Sequence, residues 1–458
     1  MEFSDFEKEL RSMSYKKSKR VRFDSGIGPL VELSVPHTVY PPREDTAMMI
    51  KAIDMIQGEV GEAVEIGVGS GALSIAMAQR GWKVKGFDLN PLSVAASRGN
   101  VNKMDLSEMI SIEEGGPGFE RWNIPKCDLL IWNLPYLNPV KENEPSLEPL
   151  EELGLSDLDA EGGWSNEIRK YIEDYNEGNK PLTLILFRTK PRSPSNPEDW
   201  KNTGWAGRTI VKEIIGEDTL EVVAFWKPSN ENPALLLESV NSTMDYAKSL
   251  NLEGWHRVRV TDQTSGRGRN YSEWKSVPGD LIATWSIDNE ILEITTPGAL
   301  QLCVGACIAK TMKADLKWPN DIYVNGKKLG GVLIETSSDQ EKIRIGVGIN
   351  KIAPYVKGRD TAGWQDLEPE TEVQELFVRI DSELSSWIEK HQKLPFPLTN
   401  EIQRFSWEIM SKSLSRGVIS EEGAAFRICG INTEGELIGV NEEKKFSIDY
   451  VRNLIISF

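Results

Sequence analysis

Short apolar runs bounded by glycine and proline alternate with amphipathic stretches through the first half of the chain. Ala63 to Ile66 is such a run and ends in Gly67-Val68-Gly69-Ser70-Gly71, which predicts a buried strand, a glycine turn and a helix from Ala72 to Arg80. Lys83 to Phe87 predicts the second strand, Cys127 to Trp132 the fourth, and Leu182 to Phe187 and Leu220 to Trp226 two more. Pro41 and Pro42 stop any strand before Asp45 and Thr46, either of which can cap the helix that follows. Pro191 to Pro197 predicts a loop, and Thr209 to Ile215 a helix. Strands alternating with helices predict an open α/β sheet.

The pattern changes after Lys227. Residues 228–233 are polar and proline-bounded, as a linker would be, and set the first domain at 1–227. Leu235 to Leu237 predicts a strand, and Ser239 to Asp245 a helix cap. Asn325-Gly326, between a valine-containing run and Lys327-Lys328-Leu329-Gly330-Gly331, predicts a tight hairpin. Val373, Leu376, Ile380, Leu384 and Trp387 recur at helical spacing and predict core. Alternation at Phe426, Ile428 and Gly430, with a turn at Thr433 to Glu436, predicts a small β barrel. The second half is therefore α+β over 234–412 with a β tail over 413–458.

With 458 residues the chain exceeds one ordinary core, in keeping with that division. A net charge of −17 opposes general adhesion to DNA or to an anionic membrane. No apolar run is long enough to span a bilayer, and Met1 to Arg22 is charged rather than signal-like, so a cytoplasmic protein is expected. Lys16, Lys17, Lys19, Arg20 and Arg22 are expected on a solvated arm. Cys127, Cys303, Cys307 and Cys429 form no CxxC pair and are expected as buried thiols. Only His37, His256 and His391 are present, which leaves zinc sites and histidine triads little material.

Chemistry in the first half centres on the glycine turn. Asp88 follows it by about twenty residues, where a carboxylate can accept both hydroxyls of a ribose. The turn lacks the third glycine spacing of a dinucleotide site and the Lys-Ser/Thr of a phosphate loop, so a ligand without phosphates, such as S-adenosylmethionine, fits better than NAD or ATP. Asn133-Leu134-Pro135-Tyr136 is delivered to the carboxyl edge of the sheet. Together VYPPRED at 39–45, EIGVGSG at 65–71, FDLNP at 87–91 and NLPY at 133–136 resemble the release-factor glutamine methyltransferases in their compact form. The resemblance implies a Rossmann-like class I fold. It implies S-adenosylmethionine at Glu65, Gly67, Val68, Gly69, Ser70, Gly71, Asp88 and Asn133. It also implies a methyl-acceptor pocket of Asn133, Leu134, Pro135 and Tyr136, with Asn133 holding the target amide. Leu134 stands where that family has proline, and Glu113 to Phe119 lacks its Gly-Asp. Related enzymes act on adenine in nucleic acid. Eight acidic residues between Glu142 and Glu161 would repel a polyanion, which favours a protein acceptor, with a release factor implied by the resemblance. A nucleic-acid N6-adenine methyltransferase and a non-catalytic adaptor stay open as alternatives.

In the second half, Lys328 beside Gly330 and Gly331 can approach a polyphosphate because the glycines carry no Cβ. Gln263-Thr264-Ser265-Gly266-Arg267-Gly268-Arg269 is a doubly cationic loop suited to folding over an anion. KWPND at 317–321, KLGGVL at 328–333, GVGIN at 346–350 and Ser242-Thr243 complete a pattern that resembles the biotin protein ligases, over residues 232 to 458. No winged-helix segment precedes that part, so transcriptional regulation is not expected. The resemblance implies an SH3-like tail. It implies biotin, ATP and magnesium as ligands and a biotin carboxyl carrier domain as partner, and it leaves the oligomeric state open, a homodimer included. It implies binding at Ser242, Thr243, Met244, Gln263, Gly266, Arg267, Gly268, Arg269, Trp274, Lys317, Asn320, Asp321, Lys328, Gly331, Leu333 and Asn350. Arg267 and Lys328 would stabilise phosphoryl charge, and Asp321 would orient ligand or magnesium. Asn270 and Tyr271 depart from the family's loop, and Met244 from its asparagine.

Overall fold

The computed structural model describes residues 18–139, 154–176, 178–269, 272–337, 341–356, 358, 360–414, 418–420, 425–441, 445–448 and 454–456. Lys16, Lys17, Glu142, Glu144, Glu148, Glu151, Glu152, Asn270 and Tyr271 lie outside the described residues. The chain divides into two compact units. The first takes residues up to Asn230 together with Gln392–Pro395, and the second takes Glu231–His391 and Phe396 onward.

The first unit opens with a hairpin of β1 (Lys19–Phe23) and β2 (Val31–Val35). Lys19, Arg20 and Arg22 are thus strand residues rather than a loose arm, because Phe23, Val31, Leu33 and Val35 anchor the hairpin in the core. Helix α1 (Glu44–Asp54) follows, then β3 (Glu62–Ile66), α2 (Ala72–Gln79), β4 (Lys83–Asp88), α3 (Pro91–Lys103), β5 (Ile110–Glu114) and β6 (Leu129–Trp132). The rest is α4 (Gly163–Glu173), β7 (Leu182–Lys190), α5 (Pro197–Asn202), β8 (Ala206–Ile215) and β9 (Asp218–Trp226). The sheet runs β5-β4-β3-β6-β7-β9-β8, parallel except at β9, which is antiparallel to both neighbours. Strand order reverses between β3 and β6, the switch point at which open α/β sheets hold ligands beyond their carboxyl ends.

The helix expected at Thr209 to Ile215 is instead the outer part of β8. Its apolar residues also suit a helical stripe. Ile210, Val211, Ile214 and Ile215 are β-branched, however, and Gly216 at φ 61° turns the chain straight back into β9.

The second unit contains β10 (Leu235–Val240), α6 (Thr243–Leu250), β11 (His256–Gln263), β12 (Gly266–Arg267), β13 (Glu273–Trp274) and β14 (Leu281–Asp288). Next come α7 (Pro297–Thr311), β15 (Asp315–Lys317), β16 (Asp321–Val324), β17 (Lys327–Ser337), β18 (Lys342–Ile349), α8 (Val373–Ile388) and α9 (Thr399–Met410). Its main sheet is ordered β10-β11-β14-β18-β17-β16-β15. Helix α7 is apolar nearly all round and is buried accordingly, with α8 and α9 packed on it. Leu376, Ile380 and Leu384 of α8 are fully buried.

The tail comprises β19 (Val418–Ser420), β20 (Ala425–Ile431), β21 (Leu437–Val440), β22 (Lys445–Ile448) and β23 (Leu454–Ile456), an antiparallel sheet ordered β22-β21-β20-β19-β23. No pairing of its two edge strands, which would close the expected barrel, is present among the described residues. Cys429 is exposed, against the expectation for all four thiols, because it lies on the outward side of the β20 alternation; Cys127, Cys303 and Cys307 are buried.

Candidate active sites

At the carboxyl ends of β3, β4 and β6 the first unit holds a cavity of about 160 Å³. Gly67 and Gly69, at φ 67° and 55°, bend the chain away from β3, and a Cβ on Gly67 would come within 3.1 Å of Trp132 Nε1. Glu65, Gly67, Val68, Gly69, Ser70, Asp88 and Asn133 all border this space. Gly71 does not border it; at φ 84° it starts α2. The Asp88 carboxylate accepts from Gly69 N and Asn90 N, both at 2.8 Å, and is also hydrogen-bonded by the Ser93 side chain and the Leu89 backbone. Burial raises the Asp88 carboxyl above its ordinary value.

Glu65 is buried and accepts a hydrogen bond from Ser74 Oγ. Burial pushes its carboxyl up to about 8. An unfolded glutamate ionises near the ordinary value of 4.5, so this group's contribution to stability is full below that pH and is lost as pH rises through about 8. Glu65→Gln is therefore expected to raise the melting temperature of the first unit at pH 9 but not at pH 5. Calorimetric scans at the two pH values check this, and an equal effect at both would contradict it.

Asn133 leaves the end of β6 half-buried, at the border of the cavity. Its Nδ2 donates to Asp45 Oδ2 at 3.1 Å, while Oδ1 is buried and has no hydrogen-bond partner in the protein. Asp45 or Thr46 was expected to cap the helix. Arg43 is the N-cap of α1, and Thr46 completes a capping box, its Oγ1 accepting from Arg43 N at 3.3 Å, whereas Asp45 borders the cavity. Leu134, Pro135 and Tyr136 line the same cavity, and Arg188 Cζ lies 5.9 Å from the centre of the Tyr136 ring. Trp164 forms another wall, 6.1 Å from Trp132 between ring centres, and its N donates to Asp157 Oδ1 at 2.9 Å. Asp157 therefore departs from the solvated acidic run: it is buried and also accepts from Ser195 N at 2.7 Å. Sequence reasoning missed Asp45, Trp132 and Trp164 as cavity residues. Asp45 alone carried a signal, lying in a motif that was already singled out.

The second unit holds a cavity of about 740 Å³ bordered by Ser242, Thr243, Met244, Gln263, Arg267, Gly268, Arg269, Trp274, Lys317, Asn320, Asp321, Lys328, Gly331, Leu333 and Asn350. Gly266 instead borders a neighbouring cleft. Asn325 and Gly326, both at positive φ, make the predicted turn between β16 and β17. Lys328 Nζ lies 2.5 Å from Asp321 Oδ1 and 5.9 Å from the centre of the Trp274 ring. Its backbone is clamped, since Lys328 N donates to Asp360 O and Ala362 N to Lys328 O at 3.0 and 2.8 Å. Asn350, expected on the nucleotide side, gives its Nδ2 to Ala362 O at 3.1 Å, so it braces the same clamp. Gly330 is required by close packing, because a Cβ there would sit 2.5 Å from Gly348 O. A Cβ on Gly348 would in turn meet the Trp274 indole at 2.5 Å.

Ser242 caps α6, its Oγ accepting from Asp245 N at 3.4 Å. Gln263 Oε1 accepts from Thr243 N and Oγ1 at 2.8 and 3.0 Å, and its Nε2 lies against Gly266, where a Cβ would come within 2.5 Å of it. The Arg267 fork is engaged by Asp245 at 2.8 Å and Glu335 at 3.2 Å, and Arg269 reaches Asn320 Oδ1 at 3.4 Å. Two arginines, Arg267 and Arg269, and three lysines, Lys275, Lys317 and Lys328, thus border one space, an arrangement that suits a polyphosphate. Among the described residues, no group of three or more His, Cys, Asp or Glu is placed to hold a metal, and Asp321 is occupied by Lys328.

Two family models match the chain. That of the biotin/lipoate A/B protein ligase family covers residues 236–350, and that of ribosomal protein L11 methyltransferases covers residues 43–134. The bifunctional ligase/repressor BirA of Bacillus subtilis is 33% identical over 124 residues, which are 25% of this chain and 38% of the relative. A Methanocaldococcus jannaschii protein whose name places it with the protein N5-glutamine methyltransferases is 34% identical over 80 residues, 17% of this chain and 40% of that protein. The biotin protein ligase of Aquifex aeolicus, solved with biotin and ATP, aligns over 49% of this chain and 100% of its own at 20% identity and a TM-score of 0.38. The chain spans 31% to 38% of the length of the two Bacillus relatives. The chain thus joins a region similar to methyltransferases, over residues 43–134, to a region similar to the biotin/lipoate A/B protein ligase family, over residues 236–350.

Proposed function

We propose that the second unit activates biotin with ATP and transfers it to a lysine of a biotin carboxyl carrier domain. The observation that carries this reading is the grouping of Arg267, Arg269 and Lys328 with Gln263 around one cavity. A biotin carboxylate oxygen attacks the α-phosphorus, the bond to the bridging oxygen breaks, and pyrophosphate leaves. Lys328 and the two arginines oppose the charge that builds on the phosphoryl oxygens. The carrier lysine, as free amine, then attacks the acyl carbon and AMP departs, so no covalent enzyme intermediate is needed. Magnesium supplies charge neutralisation at the phosphates. With Asp321 held by Lys328, the residues present suit a metal that arrives on the nucleotide better than a resident one. Incubation with ATP, radiolabelled biotin and a carrier domain tests the reading: label is expected on the carrier only with ATP, and an unlabelled carrier would refute it.

The first unit, in our reading, methylates a protein glutamine, with S-adenosylmethionine supplying an electrophilic methyl on its sulfonium. Support comes from the buried, unpartnered Asn133 Oδ1, which suits an amide N–H. Methyl transfer to an amide held and aimed in this way draws its rate mainly from orientation. Purified release factor with methyl-labelled S-adenosylmethionine is expected to take label on glutamine. Label on RNA or DNA instead would favour the adenine alternative, and no binding of S-adenosylmethionine would favour the adaptor. Four free cysteines suit a reducing compartment, in keeping with a cytoplasmic site of action, and no helix of the described residues is long and apolar enough to cross a membrane.

A further inference from the structure

We propose that Asp45 is a positioning residue that fixes which end of the Asn133 amide faces the methyl-acceptor cavity, and so restricts the acceptor to a nitrogen that still bears hydrogen. The proposal rests on the glutamine reading of the first unit and names the device that would give that reading its selectivity.

A primary amide can present either a donor or an acceptor, and rotation by half a turn exchanges the two. In this site the choice is made by the neighbour. Asp45 Oδ2 lies 3.1 Å from Asn133 Nδ2; burial raises the Asp45 carboxyl above its ordinary value, but the Asn133 and Thr46 hydrogen bonds and the Arg43 charge favour its ionised form, which accepts only, so the nitrogen end points at it. The oxygen end is then left buried with no protein partner. An orphaned buried acceptor is destabilising, and a substrate donor relieves it.

Asp45 is itself held in place. It is 4% exposed, and its Oδ1 accepts from Thr46 N at 2.7 Å in the first turn of α1, where the helix N-terminus favours negative charge. The carboxylate cannot swing away without giving up the Thr46 bond as well. An acceptor presenting a carboxylate or an ether oxygen would place lone pair against lone pair at Asn133 Oδ1. A glutamine amide offers an N–H to that oxygen, and its nitrogen is thereby oriented for methylation.

The test has one arm that does not depend on the acceptor and one that does. With selective ¹⁵N-asparagine labelling of the full chain, the Asn133 side-chain NH₂ signal is identified by its loss in Asn133→Asp. It is expected to exchange slowly in the native protein and to shift and lose protection in the isosteric Asp45→Asn. A signal unchanged in Asp45→Asn would overturn the proposal, and the spectrum itself shows whether that variant is folded. In the second arm, Asp45→Asn is expected to lower kcat for release-factor methylation by about tenfold to a hundredfold, with KM and S-adenosylmethionine affinity unchanged.

The reciprocal pair Asp45→Asn with Asn133→Asp reverses the bond, residue 45 now donating to residue 133, and so relieves the carboxylate–carboxylate contact of Asn133→Asp alone while an acceptor still faces the cavity. It is expected to be well above Asn133→Asp alone, a rescue that a purely structural role would not give; a double variant no better than the single would overturn the proposal. If native protein transfers no methyl to release factor while the amide signal behaves as expected, the positioning role is supported and the glutamine reading falls.

Discussion

Replacing Lys328 by alanine is expected to lower biotinyl-adenylate formation by two to three orders of magnitude, on the order of 10²–10³-fold, the usual loss when a preorganised donor to a developing oxyanion is removed. The ammonium is 14% exposed and already paired with Asp321 at 2.5 Å, so it works in a partly water-excluded setting. Its removal also leaves Asp321 as an uncompensated negative charge beside the phosphates. Two further results follow. Asp321→Asn in the Lys328→Ala background should recover part of the loss, since it removes that repulsion. Lys327→Ala should change little, because Lys327 is exposed and does not border the cavity although it is adjacent in sequence. Biotin-dependent pyrophosphate release measures all three variants, and an unchanged rate in Lys328→Ala would remove the lysine from the mechanism.

The second large effect concerns stability. Asp381 sits in the middle of α8, 6% exposed, where its Oδ1 accepts from the indoles of Trp255 and Trp285 at 3.0 and 2.8 Å and its Oδ2 lies 3.2 Å from Arg257 Nε. Burial raises this carboxyl above its ordinary value, against the opposing pull of the Arg257 charge. Removing one member of a buried ion pair leaves the other charge without compensation, at a cost of roughly 3–5 kcal/mol. Asp381→Ala is expected to lose that much, and Asp381→Asn less, because its amide oxygen can still take an indole N–H. Urea unfolding followed by tryptophan fluorescence reads the difference. A loss below about 1 kcal/mol for Asp381→Ala, the scale of an exposed pair, would show that the network contributes little.

These two residues show where the sequence was informative. Lys328 was singled out only by the combination of KWPND, KLGGVL and the Gly-Arg-Gly-Arg loop, since a lysine pair after Asn-Gly is by itself most often a solvated hairpin. The apolar stripe of α8 was plain, from Leu376, Ile380 and Leu384. Asp381 was not, since a carboxylate between apolar positions has no periodic signature, and its partners at 255, 257 and 285 are remote in sequence. The same holds for Asp45 and Asn133, which are separated by 88 positions and meet only through the fold. At Ile210 to Ile215 local pattern fitted two periods, and pairing with β9, a long-range contact, decided between them.

The short segment Gln392–Pro395 has a practical bearing on how the two units can be separated. It belongs to the first unit although it comes late in the chain; Leu394, 2% exposed, lies in that unit's core, and Gln57 N donates to Lys393 O at 2.9 Å. Truncation after residue 230 would therefore strip the amino-terminal fragment of a core leucine and a backbone partner. A faithful dissection would have to supply that tetrapeptide in trans or graft it onto the shortened terminus.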